Sequence, residues 1–286
     1  MELVNALDDR WDAFFQKAVA DWDNGDPDAL TLETSTSDVD PSCKAIDGKM
    51  KVCNDDYTAT GWRGINQLLY DGSNQIISSI AKMNEYYLDD KSSDDEKQYT
   101  MCHEIGHGFG LLHTDENFMN APLGDCLDYS SNITPNLLPG LINYQKLEVM
   151  YGTVGSDNKR TRKRQLRSSM RVDEKAKENQ ERSSSSSSSL SAAAMKKKHE
   201  NMNVNKIAIP AWVKDNFHEK TKLLDFTGGT DGSGDRSMIS NTNHRDSSSS
   251  GSGGDWVLLH KRDLGEIHQI ELGGGYYGHV RVLLAE

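Results

Sequence analysis

Long apolar runs are missing: nowhere do about 18 apolar residues follow one another, so no membrane-spanning helix is expected. The first ten residues lack a basic stretch leading into an apolar one. They carry Glu2, Asp8 and Asp9 instead, so no signal peptide is expected in this chain. Hydrophobic residues make up only 35% of 286, too few for one packed domain of that length, which leaves a globular part joined to disordered sequence. Cysteine is scarce, and four residues permit two disulfides without requiring them. No internal repeat of about 20 to 50 residues argues for a stacked array. Basic charge is in deficit, with 32 Lys and Arg against 44 Asp and Glu and a net charge of −12.

That deficit is uneven. Residues 1–154 hold 27 acidic and 10 basic side chains, a net −17, whereas 155–286 hold 17 and 22, a net +5. All four cysteines fall in the first part and Gly and Ser runs crowd the second, so one folded domain over 1–154 is expected, ending near Gly152. Within it, Leu3, Leu7, Trp11, Phe14, Phe15, Ala18 and Trp22 recur at steps of three and four. They predict one amphipathic helix, stopped by Asn24-Gly25-Asp26-Pro27. Segments 30–34 and 51–53 read as short strands, and the apolar segments 65–70 and 76–81 flank Asp71-Gly72-Ser73-Asn74 as a hairpin. Asp94-Asp95-Glu96 opens a second helix from about Lys97 to Phe109, its acids suiting the positive end of the dipole, and Gly110 ends it. Residues 141–151 form a third helix closed by Gly152. Helix, strands, helix, loop, helix is the order of an α+β fold.

Beyond this domain, 155–205 is basic and Ser-rich and cannot bury enough apolar surface to offset its ordering entropy, so disorder is expected. The run Lys159–Arg164 reads as a solvated linker or a processing site, ahead of a nucleic-acid patch. With its positive excess, this segment could fold back over the acidic domain. Segment 206–227 is a short candidate helix, 228–254 a Gly/Ser-rich linker, and 255–286 holds short terminal strands. Three strands with neither helix nor disulfide are marginal alone, so docking elsewhere is expected. His260, His268 and His279 lack metal spacing and read as surface residues.

Chemistry concentrates in His103-Glu104-Ile105-Gly106-His107-Gly108-Phe109-Gly110-Leu111-Leu112-His113. On a helix, His103 and His107 stand one turn apart on one face, so both imidazoles reach one ion. Glu104 points beside that ion, which suits a general base acting on metal-bound water. Gly110 lets the chain leave the helix through a backbone conformation that a side chain would penalise, bringing His113 back as a third ligand. These are the only histidines in residues 1–154, the other six lying beyond.

The pattern HExxHxxGxxH resembles the zinc signature of the metzincin metalloproteases. The resemblance implies a twisted mixed sheet with an active-site helix and a C-terminal helix, one catalytic Zn²⁺, and peptide-bond hydrolysis with a protein or peptide as substrate. It also implies a tight Met-turn after the third His. The matching stretch is Asp125-Cys126-Leu127-Asp128-Tyr129-Ser130, where Leu127 stands in place of Met and preserves an apolar floor. Tyr129 falls where astacin-like and serralysin-like members carry a tyrosine that can stabilise the oxyanion. The wider stretch 43–151 is similar to small microbial and algal proteases related to the matrixin and gametolysin groups. In this reading the substrate adds as a strand to one arm of the 65–82 hairpin, and Leu137 and Leu138 wall the specificity pocket.

Cys102 precedes the first ligand and Cys126 the Met-turn, so their pairing would tie helix to floor and leave Cys43 to Cys53. Thiolate ligation is the rival, without CxxC spacing to support it. Two disulfides, together with the glycosylation sequon at Asn132, suggest an extracellular location. The leading reading is a zinc endopeptidase. The alternative is a zinc-bound, non-catalytic interaction module acting through its basic tail.

Overall fold

The structure, a computed structural model, describes residues 1–154, positions 215, 217, 218 and 221, and residues 257–262 and 265–284. The segments 155–205 and 228–254, the basic run, and all but four positions of 206–227 lie outside the described residues. In chain order the elements are β1 (Glu2–Asn5), α1 (Asp12–Asp23), β2 (Glu33–Thr36), β3 (Lys49–Asp55), β4 (Trp62–Tyr70) and β5 (Ile76–Asn84). They continue with α2 (Asp94–Gly108), α3 (Leu141–Tyr151), β6 (Val257–Arg262), β7 (Gly265–Gly273) and β8 (Tyr276–Leu284). The strands form one mixed sheet in the order β2-β1-β3-β5-β4-β8-β7-β6. β1 runs parallel to β2 and β3, and β3 parallel to β5, whereas β4 is antiparallel to both β5 and β8. The fold is therefore α+β, and no described helix is long and apolar enough to cross a membrane.

Several elements differ from expectation. The first helix does not begin at Leu3. Leu3 and Val4 are buried in β1, because pairing on both sides satisfies the backbone groups that a helix would otherwise satisfy internally. Periodicity could not separate the two, since Leu3 and Leu7 fit either face. α1 starts at Asp12 and ends on Asn24. β2 lies further along than the expected 30–34, while the hairpin, the second helix and the third helix fall close to their expected positions. The terminal strands dock on β4 and belong to one compact unit with residues 1–152, so the sheet does not end with the first domain. Neither arm of the hairpin is an edge, as β5 lies between β3 and β4 and β4 between β5 and β8; β2 and β6 are the edges. His268, expected at the surface, is buried on β7, and His279 on β8 is half-buried against Gln269 at 2.8 Å.

One face of the sheet carries the main core, in which Met50, Val52, Ala81 and Met83 meet Phe15 and Trp22 of α1, Met101 and Ile105 of α2, and Phe109 just after it. α2 is buried over almost its whole length. Its first turn is fixed by a capping box, Ser93 Oγ accepting from Glu96 N and Glu96 Oε2 accepting from Ser93 N. Trp22 Nε1 donates to Cys102 O at 3.1 Å, and Asn66 Nδ2 on β4 donates to Glu104 O at 2.8 Å. The disulfides join Cys43 to Cys53 and Cys102 to Cys126. Replacing Cys102 and Cys126 together by Ser should lower unfolding stability by about 3 kcal/mol, since the bridge closes a 24-residue separation. Urea denaturation followed by tryptophan fluorescence checks this.

Candidate metal centre

α2 delivers His103 and His107 on one face, and Gly110, at φ +91°, turns the chain so that His113 returns to them. His107 Nε2 lies 3.0 Å from both His103 Nε2 and His113 Nε2. Each opposite ring nitrogen faces an acceptor: His103 Nδ1 meets Cys126 O at 2.7 Å, His107 Nδ1 meets Leu111 O at 2.8 Å, and His113 Nδ1 meets Glu116 Oε1 at 3.1 Å. The proton of each neutral ring therefore sits on Nδ1, and the three Nε2 lone pairs point at one another. Burial, followed by the neighbouring histidines, pushes the pKa values of His103 and His107 well below the usual imidazole range, so these rings are neutral.

Converging lone pairs repel, and a cation between them removes the conflict. Ligand bonds of about 2.0 to 2.1 Å in tetrahedral geometry place donors about 3.3 Å apart, close to the spacing present. The residues thus fit a metal ion, and among the described residues this is the one group of three or more His, Cys, Asp or Glu that does. Acceptors behind each ring are the usual means of fixing ligand orientation. The thiolate alternative falls away, because all four cysteines are in disulfides.

Glu104 is fully buried and neither carboxylate oxygen has a hydrogen-bond partner. Burial drives its pKa well above the usual carboxylate range, opposed by the charge of Arg281. Its carboxylate lies directly beneath β4, where a Cβ on Gly64 would come within 2.5 Å of Glu104 Oε1 and 2.6 Å of Thr100 Cγ2. Only glycine allows this approach of strand to helix.

Residues 125–129 pass under the cluster. Leu127 is buried, and a Cβ on Gly106 would meet its Cδ2 at 3.1 Å. Tyr129 lies with its ring centroid 4.1 Å from that of His113 and 5.6 Å from that of His103, and its hydroxyl donates to Val282 O at 3.4 Å. Tyr99 Oη donates to Asp128 O at 3.0 Å, and Thr114 N to Leu127 O at 2.8 Å, holding the segment against α2 and the turn after it. Asn132 is exposed. Leu137 is half-buried against the main core and Leu138 is exposed. Neither lines the cleft of about 520 Å³ beside His113, whose walls are Leu111, Leu112, Ile142, Val149 and Met150.

Two participants have no sequence motif. Glu116 orients His113. Arg281 on β8 donates from Nη1 to His107 O at 2.8 Å, which also accepts from Gly110 N at 2.8 Å, and from Nη2 to Gly110 O at 3.4 Å, placing a cation at the negative end of α2. A lone cation within Val280-Arg281-Val282-Leu283-Leu284 was the only signal of the second. Neither a protein-family model nor a curated protein matches the chain.

One divalent ion per chain is the expected stoichiometry by elemental analysis, and His107→Ala should abolish it. At a free metal concentration of 100 Kd, the bound ion should stabilise the native chain by about 2.7 kcal/mol. Chelator should lower the melting temperature of the wild type and leave that of His107→Ala unchanged.

Proposed function

We propose that the protein is a zinc-dependent endopeptidase of the metzincin type, with His103, His107 and His113 as metal ligands and Glu104 as general base. The observation that carries this reading is the convergence of three Nε2 donors, two from α2 and His113 from the turn after it, beside a buried carboxylate of α2 without a hydrogen-bond partner. The all-nitrogen donor set favours zinc over calcium or magnesium, which take oxygen ligands. A zinc ion held there would supply Lewis acidity to the scissile carbonyl and acidify the water that attacks it.

Glu104 handles the proton. As a carboxylate it accepts one from the attacking water and returns it to the leaving amine, and burial makes it a stronger base than an exposed carboxylate. Tyr129, with its ring against His113, is the candidate donor to the developing oxyanion. Leu127 serves as the apolar floor of the proposed Met-turn. Two disulfides are consistent with an extracellular location, and a secreted enzyme is the proposal that follows.

A second reading, a metal-holding module without catalysis, draws on one observation: His103, Glu104 and His107 have no exposed surface. Casein hydrolysis with and without chelator, alongside Glu104→Ala, separates the two. The enzyme should lose activity on chelation, and Glu104→Ala should lower cleavage by about 10²- to 10⁴-fold while keeping its metal. Cleavage that survives the substitution would remove Glu104 from the mechanism. A wild type that holds one metal and cleaves nothing would favour the module.

A further inference from the structure

The closure of the histidine cluster has an identifiable cause. β8 lies along the whole of β4, with Trp62 opposite Leu284, Asn66 opposite Arg281 and Tyr70 opposite Tyr277. Side chains alternate across a strand, so His279, Arg281 and Leu283 share the face toward α2 while Val280, Val282 and Leu284 pack on the other face with Ile65, Leu69 and Ile270. On the α2 side, Arg281 holds His107 O, Leu283 joins the core that contains Leu127 and Tyr129, and Val282 O accepts from the Tyr129 hydroxyl. One strand thus bonds to the second histidine and to the tyrosine of the site, and shares a core with its floor.

We infer that β8 is a self-supplied strand standing where an extended polypeptide would add to β4, and that it must leave this edge before the metal centre can be reached. Backbone groups along a strand edge pair with any extended chain, so whatever takes the place of β8 is recognised first by main-chain hydrogen bonds and then by alternate side chains. The length of chain between α3 and β6, 105 residues, leaves departure of the hairpin compatible with an intact first part. The identity of the replacing polypeptide as substrate rests on the peptidase reading; the closure itself does not.

The test uses the full chain with Gln67→Cys and Val280→Cys, positions opposite each other in β4 and β8 on the sheet face away from the histidines. Two quantities are read in the oxidised and reduced forms, with Gln67→Cys alone as the control for reductant: the rate at which EDTA withdraws bound Zn²⁺, and the rate of casein cleavage. Cross-linking should slow both by at least about tenfold, because it removes the local opening that exposes the site. Unchanged zinc withdrawal overturns the inference, whatever cleavage does. Slower withdrawal with no cleavage in either form leaves the closing strand in place and rejects the peptidase.

Val282→Asp gives an independent measure should the cross-link not form. Its buried carboxylate should loosen β8, deprotect β4 amides in hydrogen exchange and speed zinc withdrawal. Deprotected β4 amides with unchanged withdrawal would overturn the inference.

Discussion

Three imidazoles with converging nitrogens, that of His107 3.0 Å from each of the other two, are an unfavourable arrangement unless a cation joins them, and the surrounding structure is arranged to hold them there. The carbonyls of Cys126 and Leu111 and the carboxylate of Glu116 each receive an Nδ1 proton, which fixes the tautomers and turns the lone pairs inward. Those acceptors come from three places: the loop under the cluster, the turn after α2, and the segment after His113. Their agreement on one point requires tertiary structure around α2 on every side. Trp22 from α1, Asn66 from β4 and the Cys102–Cys126 bridge supply it, fixing the backbone of α2 at Cys102 and Glu104 and its side at the loop.

The same packing explains why the site is shut. A helix covered by β4 alone would leave its ligand face beside an open strand edge. β8 fills that edge, and Arg281 completes the cap on the carbonyls of His107 and Gly110. The buried guanidinium is held by main-chain oxygens and the Tyr70 hydroxyl, which lessen the cost of taking it out of water, while burial still lowers its pKa. Closure and helix capping are therefore two consequences of one strand. A strand that leaves takes this cation away, and the proposed open form has α2 closed by the bond from Gly110 N to His107 O and by the Tyr151 hydroxyl bond to Phe109 O.

Much of this was legible along the chain. The spacing of His103, His107 and His113, the breaking glycine at 110 and the acid at 104 are local, because helix geometry converts sequence offsets directly into directions in space. The 65–81 hairpin, the helix over 141–151 and the cysteine pairing were equally local or followed from proximity to the motif. β1 was not, since four residues of strand are stabilised by partners at 33–36 and 49–52 that no window around Leu3 contains. The burial of His268 was hidden for the same reason: its environment is made by strands that come together only in the sheet.

By itself, then, the sequence determined the donor set, the helix that carries two of its members and the turn that returns the third, because these depend on spacing of a few residues. Tertiary structure alone decided that the nitrogens converge with their tautomers set, that Glu104 is buried beneath Gly64, and that β8 lies over them. Those features depend on contacts between distant segments, such as His103 Nδ1 to Cys126 O across 23 positions and Arg281 to His107 O across 174, and such contacts form only when separate segments bury their apolar faces against one another.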